Sequence, residues 1–262
     1  MMRFLGVDLA WGTRNPSGLC AVEGDSKGGR VVDSALRRTD SELLDWLWPR
    51  TRGPCVVAFD APLVVTNRSG ARDCEREISR CFGRFDAGCH PSNLTRMPDP
   101  RAARLADRLG LDTDPVFPPG DESVRRAVEV YPHAALVALF GLDRTLKYKA
   151  KRGRSVASRH AEFRRLAGLL ATLAEGAPGL DVRAAPRWAE LVATATTSAV
   201  GAELDRAEDE IDAFVCGYAA LLLWTHGTGR SRIVGSARDG YIVTPVTPEL
   251  ARHLDAAGQR VS

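Results

Sequence analysis

Three short apolar runs open the chain, and clusters of turn-forming residues separate them. The runs are RFLGVDLAW (3–11), GLCAVEG (18–24) and GRVVDSAL (29–36). Asn-Pro and Gly-Gly pairs lie between them, and such pairs favour tight turns between β-strands. The pattern predicts an antiparallel meander of three strands.

The next segment changes from a helical to a strand-like spacing of apolar residues. Thr39 or Asp40 is a suitable N-cap for a helix over 41–48, where leucine and tryptophan recur at helical intervals, and Pro49 is expected to end it. The run 54–63, PCVVAFDAPL, is almost continuously apolar, as in a strand that is covered on both faces of a parallel sheet.

The remainder of the chain predicts further strands and helices around a long irregular segment. Residues 66–122 are rich in Arg, Asp and Pro, and we interpret them as an insertion rather than a separate domain. The other predicted elements are helical patches at 71–82 and 100–109, a strand ending at Tyr131, a helix entered at Pro132, helices at 156–175 and 186–200, a long helix at 205–227, and a hairpin turning at Asp239-Gly240. The fold class predicted is α/β: a mixed sheet of three antiparallel strands followed by parallel strands, flanked by helices, in one domain over 1–262.

Composition places the chain among ordinary globular proteins. It has 262 residues, 44% of them hydrophobic, and 36 Lys and Arg against 33 Asp and Glu give a formal charge of +3. That small surplus does not by itself indicate a nucleic-acid partner. The start lacks a secretory signal pattern, the longest apolar run (214–224) is too short to span a bilayer, and six cysteines are too few for a disulfide scaffold. We expect a cytoplasmic protein with reduced thiols and no membrane association; the oligomeric state is not predicted.

One residue of the first run does not fit a simple core strand. Asp8 lies in the middle of an apolar stretch, and a buried carboxylate needs a donor, a cation or a metal beside it. Asp60 ends the fourth predicted strand, which a right-handed crossover would bring next to the first. Asp209 and Asp212 are three residues apart, so a helix projects both from the same face.

Several aspartates that meet at one place repel one another unless a cation neutralises them. Hard oxygen ligands select Mg²⁺ or Mn²⁺, and two such ions about 4 Å apart activate water in phosphodiester cleavage. The competing interpretation is structural, because an aspartate can cap a turn, accept backbone hydrogen bonds or favour a helix start. Strand, strand and helix start together favour the metal site, with Asp8, Asp60, Asp209 and Asp212 as ligands and catalytic residues.

Six stretches spread over the chain match one known family when taken together. They are GVDLAWG…NPSG, AFDAPLVVTNRSG, VEVYPHAALVALFGL, LKYK, DEIDAFVCGY and DGYIVTP, and they resemble family 429 of the domains of unknown function. The resemblance implies a ribonuclease H-like fold and a predicted nuclease activity that depends on divalent metal. More distantly, the four aspartates resemble the acidic set of the RuvC-type resolvases, which commonly carry glutamate where this chain has the shorter Asp60.

Four further residues are candidates for substrate binding. Glu129 and His133 flank the end of the fifth predicted strand, where they can bind substrate or act as acid and base. Lys147 and Lys149 belong to the basic run 146–154, which suits phosphate contacts and whose Tyr148 suits base stacking. The commoner meanings are a helix-start histidine and a solvated loop.

Two other classes of protein compete with a metal-dependent nuclease acting on DNA or RNA. An ATP-binding protein of the actin-like and sugar-kinase group shares the core, but it needs phosphate loops in two duplicated halves, and 12–18 (GTRNPSG) is a poor phosphate loop. A binding module of the same fold without turnover is the third possibility. The spacing of Cys74, Cys81, Cys89 and His90 matches no usual zinc pattern, and Trp46, Trp48 and Trp224 are expected in the core.

Overall fold

The computed structural model describes residues 1–258 and contains sixteen strands and helices that position the site. In chain order they are β1 (Met2–Asp8), β2 (Ser17–Asp25), β3 (Gly28–Arg37), α1 (Asp40–Thr51), β4 (Cys55–Phe59), α2 (Asp73–Phe82), α3 (Arg101–Arg108), β5 (Arg125–Glu129), α4 (Pro132–Phe140), α5 (Val156–Thr172), β6 (Gly179–Asp181), α6 (Trp188–Thr197), α7 (Gly201–His226), β7 (Ser231–Ser236), β8 (Gly240–Pro245) and α8 (Pro248–Gly258).

A six-stranded mixed sheet forms the centre of the molecule. Its strand order is β5-β4-β1-β2-β3-β6. The β1, β2 and β3 strands are antiparallel neighbours, and β4 and β5 extend the sheet in parallel on the other side of β1. This confirms the predicted α/β class and is consistent with a ribonuclease H-like fold. The short β6, which pairs in parallel with β3, has only three residues and was not predicted.

Helix α1 begins as its sequence predicts but ends later. Thr39 is the N-cap, and a reciprocal capping box joins it to Glu42: the Thr39 Oγ1 accepts from the Glu42 N–H, and the Glu42 carboxylate accepts from the Thr39 N–H. The predicted end at Pro49 is wrong, because the helix continues for two residues beyond it. Pro49 lacks the N–H that would bond the Asp45 carbonyl, and the Arg50 guanidinium donates separately to the Trp46 carbonyl at 2.7 Å.

The three tryptophans expected in the core do not share one environment. Trp46 and Trp224 are buried, as expected, whereas Trp48 is 49% exposed. The core-facing side of α1 carries Trp46 together with its leucines. Trp48 is two residues further along the helix and therefore points away from that side.

Helix α7 starts earlier than its acidic residues suggest. It begins at Gly201, so Asp209 and Asp212 lie more than two turns inside the helix instead of in its first turn. Leu204 and Ala207 are buried and extend the packed face toward the N-terminus. The favourable end of a helix dipole reaches only about one turn, so the dipole does not explain why carboxylates occupy these two positions.

Two glycines let α7 approach the sheet closely. A Cβ on Gly6 of β1 would overlap the Ala213 carbonyl, and a Cβ on Gly18 of β2 would overlap the Asp209 carbonyl. Gly18 is the register partner of Asp8 across the β1–β2 ladder. The close contact therefore fixes the acidic part of α7 beside the end of β1.

The insertion over 66–122 contains the two predicted helices, α2 and α3, within otherwise irregular chain. The predicted hairpin is confirmed as β7 and β8, which form a separate two-stranded sheet, while α8 was not predicted.

A single cluster of buried hydrophobic side chains includes residues from the main sheet, the helices and the hairpin. The predicted domain over 1–262 extends beyond the described residues. None of the helices in the described part of the chain is both long and apolar enough to cross a membrane.

Candidate active site

A cleft of about 1540 Å³ opens at the carboxyl ends of β1 and β4. Asp8 is the last residue of β1, and Asp60 directly follows β4. The two strands are parallel neighbours, and the Asp60 N–H donates to the Val7 carbonyl at 2.8 Å. The crossover predicted from the sequence thus brings both half-buried carboxylates to adjacent positions of one sheet edge.

Helix α7 supplies further carboxylates to the same place. Asp209 is half-buried and lines the cleft, and Asp212 is completely buried one turn further along the helix. The charges of Asp209 and Asp212 both couple to Asp8. The structure also adds Glu208, one turn before Asp212 on the same helix face, which lines the cleft and was not predicted as a site residue. We call these five residues the acidic cluster: Asp8, Asp60, Glu208, Asp209 and Asp212.

The basic run 146–154 places its central residues inside the acidic cluster. The Lys149 Nζ lies 2.6 Å from Asp212 Oδ2 and 3.5 Å from Glu208 Oε1. The Tyr148 hydroxyl donates to Asp212 Oδ1 at 2.7 Å, and its side chain is fully buried. Tyr148 is therefore inaccessible to a nucleobase, which overturns its expected stacking role. Lys149 contacts carboxylates and forms the cationic centre of the cluster.

The protonation of the cluster reflects its crowding. Burial raises the pKa of Asp8 to about 7, and the Lys149 ammonium opposes this rise. Burial together with neighbouring carboxylates raises the pKa of Glu208 to about 8 and that of Asp209 to about 9. The pKa of Asp60 also rises, through burial and through the charge of Asp8.

The pKa of Lys149 shifts upward, in the direction that the neighbouring carboxylates favour. Burial alone would lower the pKa of Lys149, but Asp212 and Asp8 outweigh burial and raise that pKa well above its usual value. The lysine is therefore firmly protonated. The Lys149 ammonium and the Arg159 guanidinium, which lies 3.4 Å from Glu208, face five carboxyl groups, so the cluster has a deficit of positive charge whenever those groups are ionised.

The donor chemistry of the cluster fits a hard divalent cation. Among residues 1–258, no hydrogen bond ends on a carboxylate oxygen of Asp8, Asp60 or Asp209, and only burial and neighbouring charges shift their pKa values. Unpartnered carboxylates of this kind suit Mg²⁺ or Mn²⁺. In the described chain, no three Asp, Glu, His or Cys side chains stand close enough together to hold a metal ion. The carboxylates of the cluster are therefore farther apart than the ligands of an occupied metal site.

Glu129 lines the cleft and forms a buried ion pair. Its carboxylate accepts from the Arg72 guanidinium, at 2.9 Å for Nη1, and from the Leu63 N–H at 3.1 Å. Arg72 also donates to Glu75, and all three charged side chains are buried. This network ties the insertion to the end of β5. Glu129 is thus engaged in holding the fold together, and both of its oxygens already have protein donors.

His133 lines the cleft at the start of α4. Its Nδ1 lies 3.1 Å from the Thr145 hydroxyl, and its ring packs near that of Tyr148. Burial and the nearby Lys149 charge lower the pKa of His133 to about 3. The imidazole is therefore neutral at physiological pH. It can accept or donate a hydrogen bond to substrate, but it does not supply positive charge.

Basic side chains surround the acidic floor of the cleft. Lys147 lines the cleft, as expected of a substrate contact, although its Nζ is paired with Asp86 at 2.7 Å. Besides Lys149 and the buried Arg72, five other cations line the same cleft. We call these five and Lys147 the basic rim: Arg14, Arg38, Lys147, Lys151, Arg154 and Arg206. A negative floor within a positive rim suits a ligand that carries phosphates.

Sequence reasoning missed three kinds of site residue. Glu208 carries a readable signal, since it lies four residues before Asp212 and so shares its helix face. Trp11 also lines the cleft, and the Arg101 guanidinium donates to the carbonyls on either side of it; neither residue carries such a local signal, because this contact joins distant segments. Arg72 is similar: only the fold shows that it reaches Glu129.

Fold and cleft together define an α/β protein with a ribonuclease H-like sheet order and a carboxylate cluster at the ends of its two central parallel strands. A family profile described as "Protein of unknown function (DUF429)" matches residues 6–237, and the chain belongs to this family. Neither a search of curated proteins nor a search of solved structures finds a match.

Proposed function

We propose that the protein is a divalent-metal-dependent phosphodiesterase that cleaves nucleic acid in the cytoplasm. The observation that carries the proposal is the convergence of three half-buried, unpartnered carboxylates, those of Asp8, Asp60 and Asp209, on the floor of one large cleft. Six free cysteines agree with a reducing compartment.

The carboxylates of Asp8, Asp60 and Asp209 would hold Mg²⁺ or Mn²⁺. Asp212 would not contact the ion but would add its negative charge to the attraction. When bound, a pair of such ions activates a water molecule and stabilises the leaving oxygen of a phosphodiester. Hard oxygen donors are the ligands these ions prefer, and the raised pKa values mark a place where added positive charge is favourable.

The other residues of the cleft bind and orient the substrate. Cations of the basic rim attract the phosphate backbone and keep it over the acidic floor, which would otherwise repel it. The Lys149 ammonium pairs with Asp212, and the Arg159 guanidinium lies 3.4 Å from Glu208, so the deepest carboxylates add less to that repulsion. Neutral His133 lies beside the cluster and can hydrogen-bond a phosphate or sugar oxygen.

A cleavage assay tests the proposal. Single-stranded, duplex and branched DNA and RNA are incubated with the protein in Mn²⁺, Mg²⁺ or EDTA. We expect cleavage of at least one substrate with either metal and none in EDTA. The variants Asp8→Asn and Asp60→Asn should lose cleavage, whereas Asp45→Asn, a change at an exposed position on α1 outside the cleft, should retain it.

Two results would contradict the proposal. Cleavage that persists in Asp8→Asn at the level of the unaltered protein would show that the cluster does not perform the reaction. Hydrolysis of ATP without nucleic acid, with no cleavage of any polynucleotide, would favour the ATP-binding alternative instead.

A further inference from the structure

Trp11 is unusually exposed for a large aromatic residue next to β1 and the acidic cluster. It lies in the loop between β1 and β2, three residues after Asp8, and it is 65% exposed while lining the cleft. A tryptophan side chain gains much stability from burial, so a large exposed indole at the wall of a cleft is a typical sign of a binding surface.

The backbone on both sides of Trp11 is held by one buried guanidinium. Arg101, the first residue of α3, donates from Nη1 to the Ala10 carbonyl at 2.9 Å and to the Gly12 carbonyl at 3.0 Å. Its Nη2 donates to the Arg38 carbonyl at 2.9 Å. The Arg101 side chain is only 8% exposed. The insertion therefore holds the loop directly before and directly after the indole.

Two further contacts complete the support of this loop. The Arg101 Nε donates to Asp40 Oδ1 at 2.6 Å, which ties the same guanidinium to the first residue of α1. The Ala10 N–H donates to the Oγ of Ser17, a completely buried residue at the start of β2, at 3.0 Å. A loop anchored in this way presents Trp11 without a large loss of conformational entropy on binding.

The charge around Trp11 indicates the class of ligand. Arg14 follows in the same loop, and Arg38, whose carbonyl Arg101 holds, also lines the cleft. An aromatic face beside arginines is the arrangement by which proteins bind single strands: phosphates meet the cations and an unpaired base stacks on the ring. Paired bases inside a duplex are stacked on one another and do not offer a free face to a single indole.

We propose that Trp11 is a stacking platform for an unpaired nucleobase, held in place by Arg101, so that the cleft prefers single-stranded nucleic acid. This proposal rests on the proposed function for the nature of the ligand. It names the substrate class, and it makes Arg101 a positioning residue that acts through the loop.

Binding is measured by fluorescence anisotropy with labelled single-stranded and duplex oligonucleotides at low salt in EDTA, where cleavage does not interfere. Trp11→Ala should weaken single-strand binding about 5- to 100-fold, the range expected for loss of one base–aromatic stack. Trp11→Tyr should retain most of the affinity, because it keeps an aromatic face. Trp48→Ala is the matched control: this tryptophan is also exposed, at 49%, but lies outside the cleft, and its removal should change nothing.

A double-mutant cycle tests the role of Arg101. Lysine cannot reproduce the planar fork that reaches three carbonyls, so Arg101→Lys should weaken single-strand binding when Trp11 is present. In the Trp11→Ala background the same change should have little further effect. Equal losses in both backgrounds would show that Arg101 acts on the fold in general and would overturn its positioning role.

The outcomes separate this proposal from the proposed function. If Trp11→Ala binds single strands within twofold of the unaltered protein, or if the unaltered protein binds no oligonucleotide, the stacking proposal is overturned. If single-strand binding depends on Trp11 but no substrate is cleaved in Mn²⁺, the stacking proposal stands and the nuclease proposal fails. If Trp11→Ala cleaves single strands with the same KM and kcat as the unaltered protein, the nuclease proposal stands and the stacking proposal fails. Thermal unfolding of each variant verifies that it is folded.

Discussion

Replacing Asp8 by asparagine should stabilise the metal-free protein at neutral and alkaline pH. Burial raises the pKa of Asp8 from 3.8 to about 7, so the folded protein binds this proton more tightly than the unfolded chain does. Stability therefore falls as the pH rises from the unfolded value through the folded one. One tenfold step in acidity is worth about 1.36 kcal/mol, which gives an upper value of about 4 kcal/mol above pH 7.

The expected gain is smaller than that upper value, because Asp8 is only half-buried and water in the cleft screens its charge. We expect Asp8→Asn to be about 1–2 kcal/mol more stable than the unaltered protein near pH 8 in EDTA. The gain should become small as the pH falls to about 4 and vanish below the unfolded pKa of 3.8, where the carboxyl group is protonated in both states of the protein.

Urea unfolding followed by circular dichroism, at several pH values between about 4 and 8, measures this difference. The control is Asp45→Asn on the exposed side of α1, which should change stability by less than about 0.5 kcal/mol at every pH. A loss of about 1 kcal/mol or more for Asp8→Asn at the highest pH would contradict this expectation. It would mean that the Asp8 carboxylate is satisfied by protein donors and has a structural role.

Two further predictions test the packing and the charge balance of the site. Gly18→Ala should destabilise the protein by about 2 kcal/mol or more in urea unfolding, because the new methyl group overlaps the backbone of α7, whereas Gly53→Ala, with open space around it, should stay within about 0.5 kcal/mol; equal effects would contradict the close approach. Lys149→Met should cost about 3–5 kcal/mol, because it leaves the buried Asp212 carboxylate without a counter-charge. Added Mg²⁺ should raise the melting temperature of this variant more than that of the unaltered protein. A Mg²⁺ effect that is no larger would argue against Mg²⁺ and the Lys149 ammonium neutralising the same carboxylates.

Much of the fold follows from local signals in the sequence. The turn-forming pairs between the first three apolar runs define the antiparallel strands, and the fully apolar run before Asp60 defines a strand covered on both faces. Once β4 lies beside β1, the positions of Asp8 and Asp60 are determined by the parallel register. The acidic spacing on α7 then adds Asp209 and Asp212 on one helix face.

The parts that sequence reasoning missed depend on contacts between distant segments. Tyr148 lies within a basic run that is typical of a surface loop. It is nevertheless buried, and its hydroxyl donates a hydrogen bond to Asp212, 64 residues later. Arg101 comes from an irregular, polar insertion, and only the fold shows that it meets the loop around Trp11.

Calorimetric titration of Mn²⁺ into the protein near neutral pH measures directly whether the acidic cluster binds a divalent cation. We expect saturable binding with a stoichiometry of about one to two ions per chain. Asp8→Asn and Asp60→Asn should each abolish or greatly weaken this binding, while Asp45→Asn should leave it unchanged. Absence of binding by the unaltered protein, or binding that neither cluster variant reduces, would show that the acidic cluster is not a metal site.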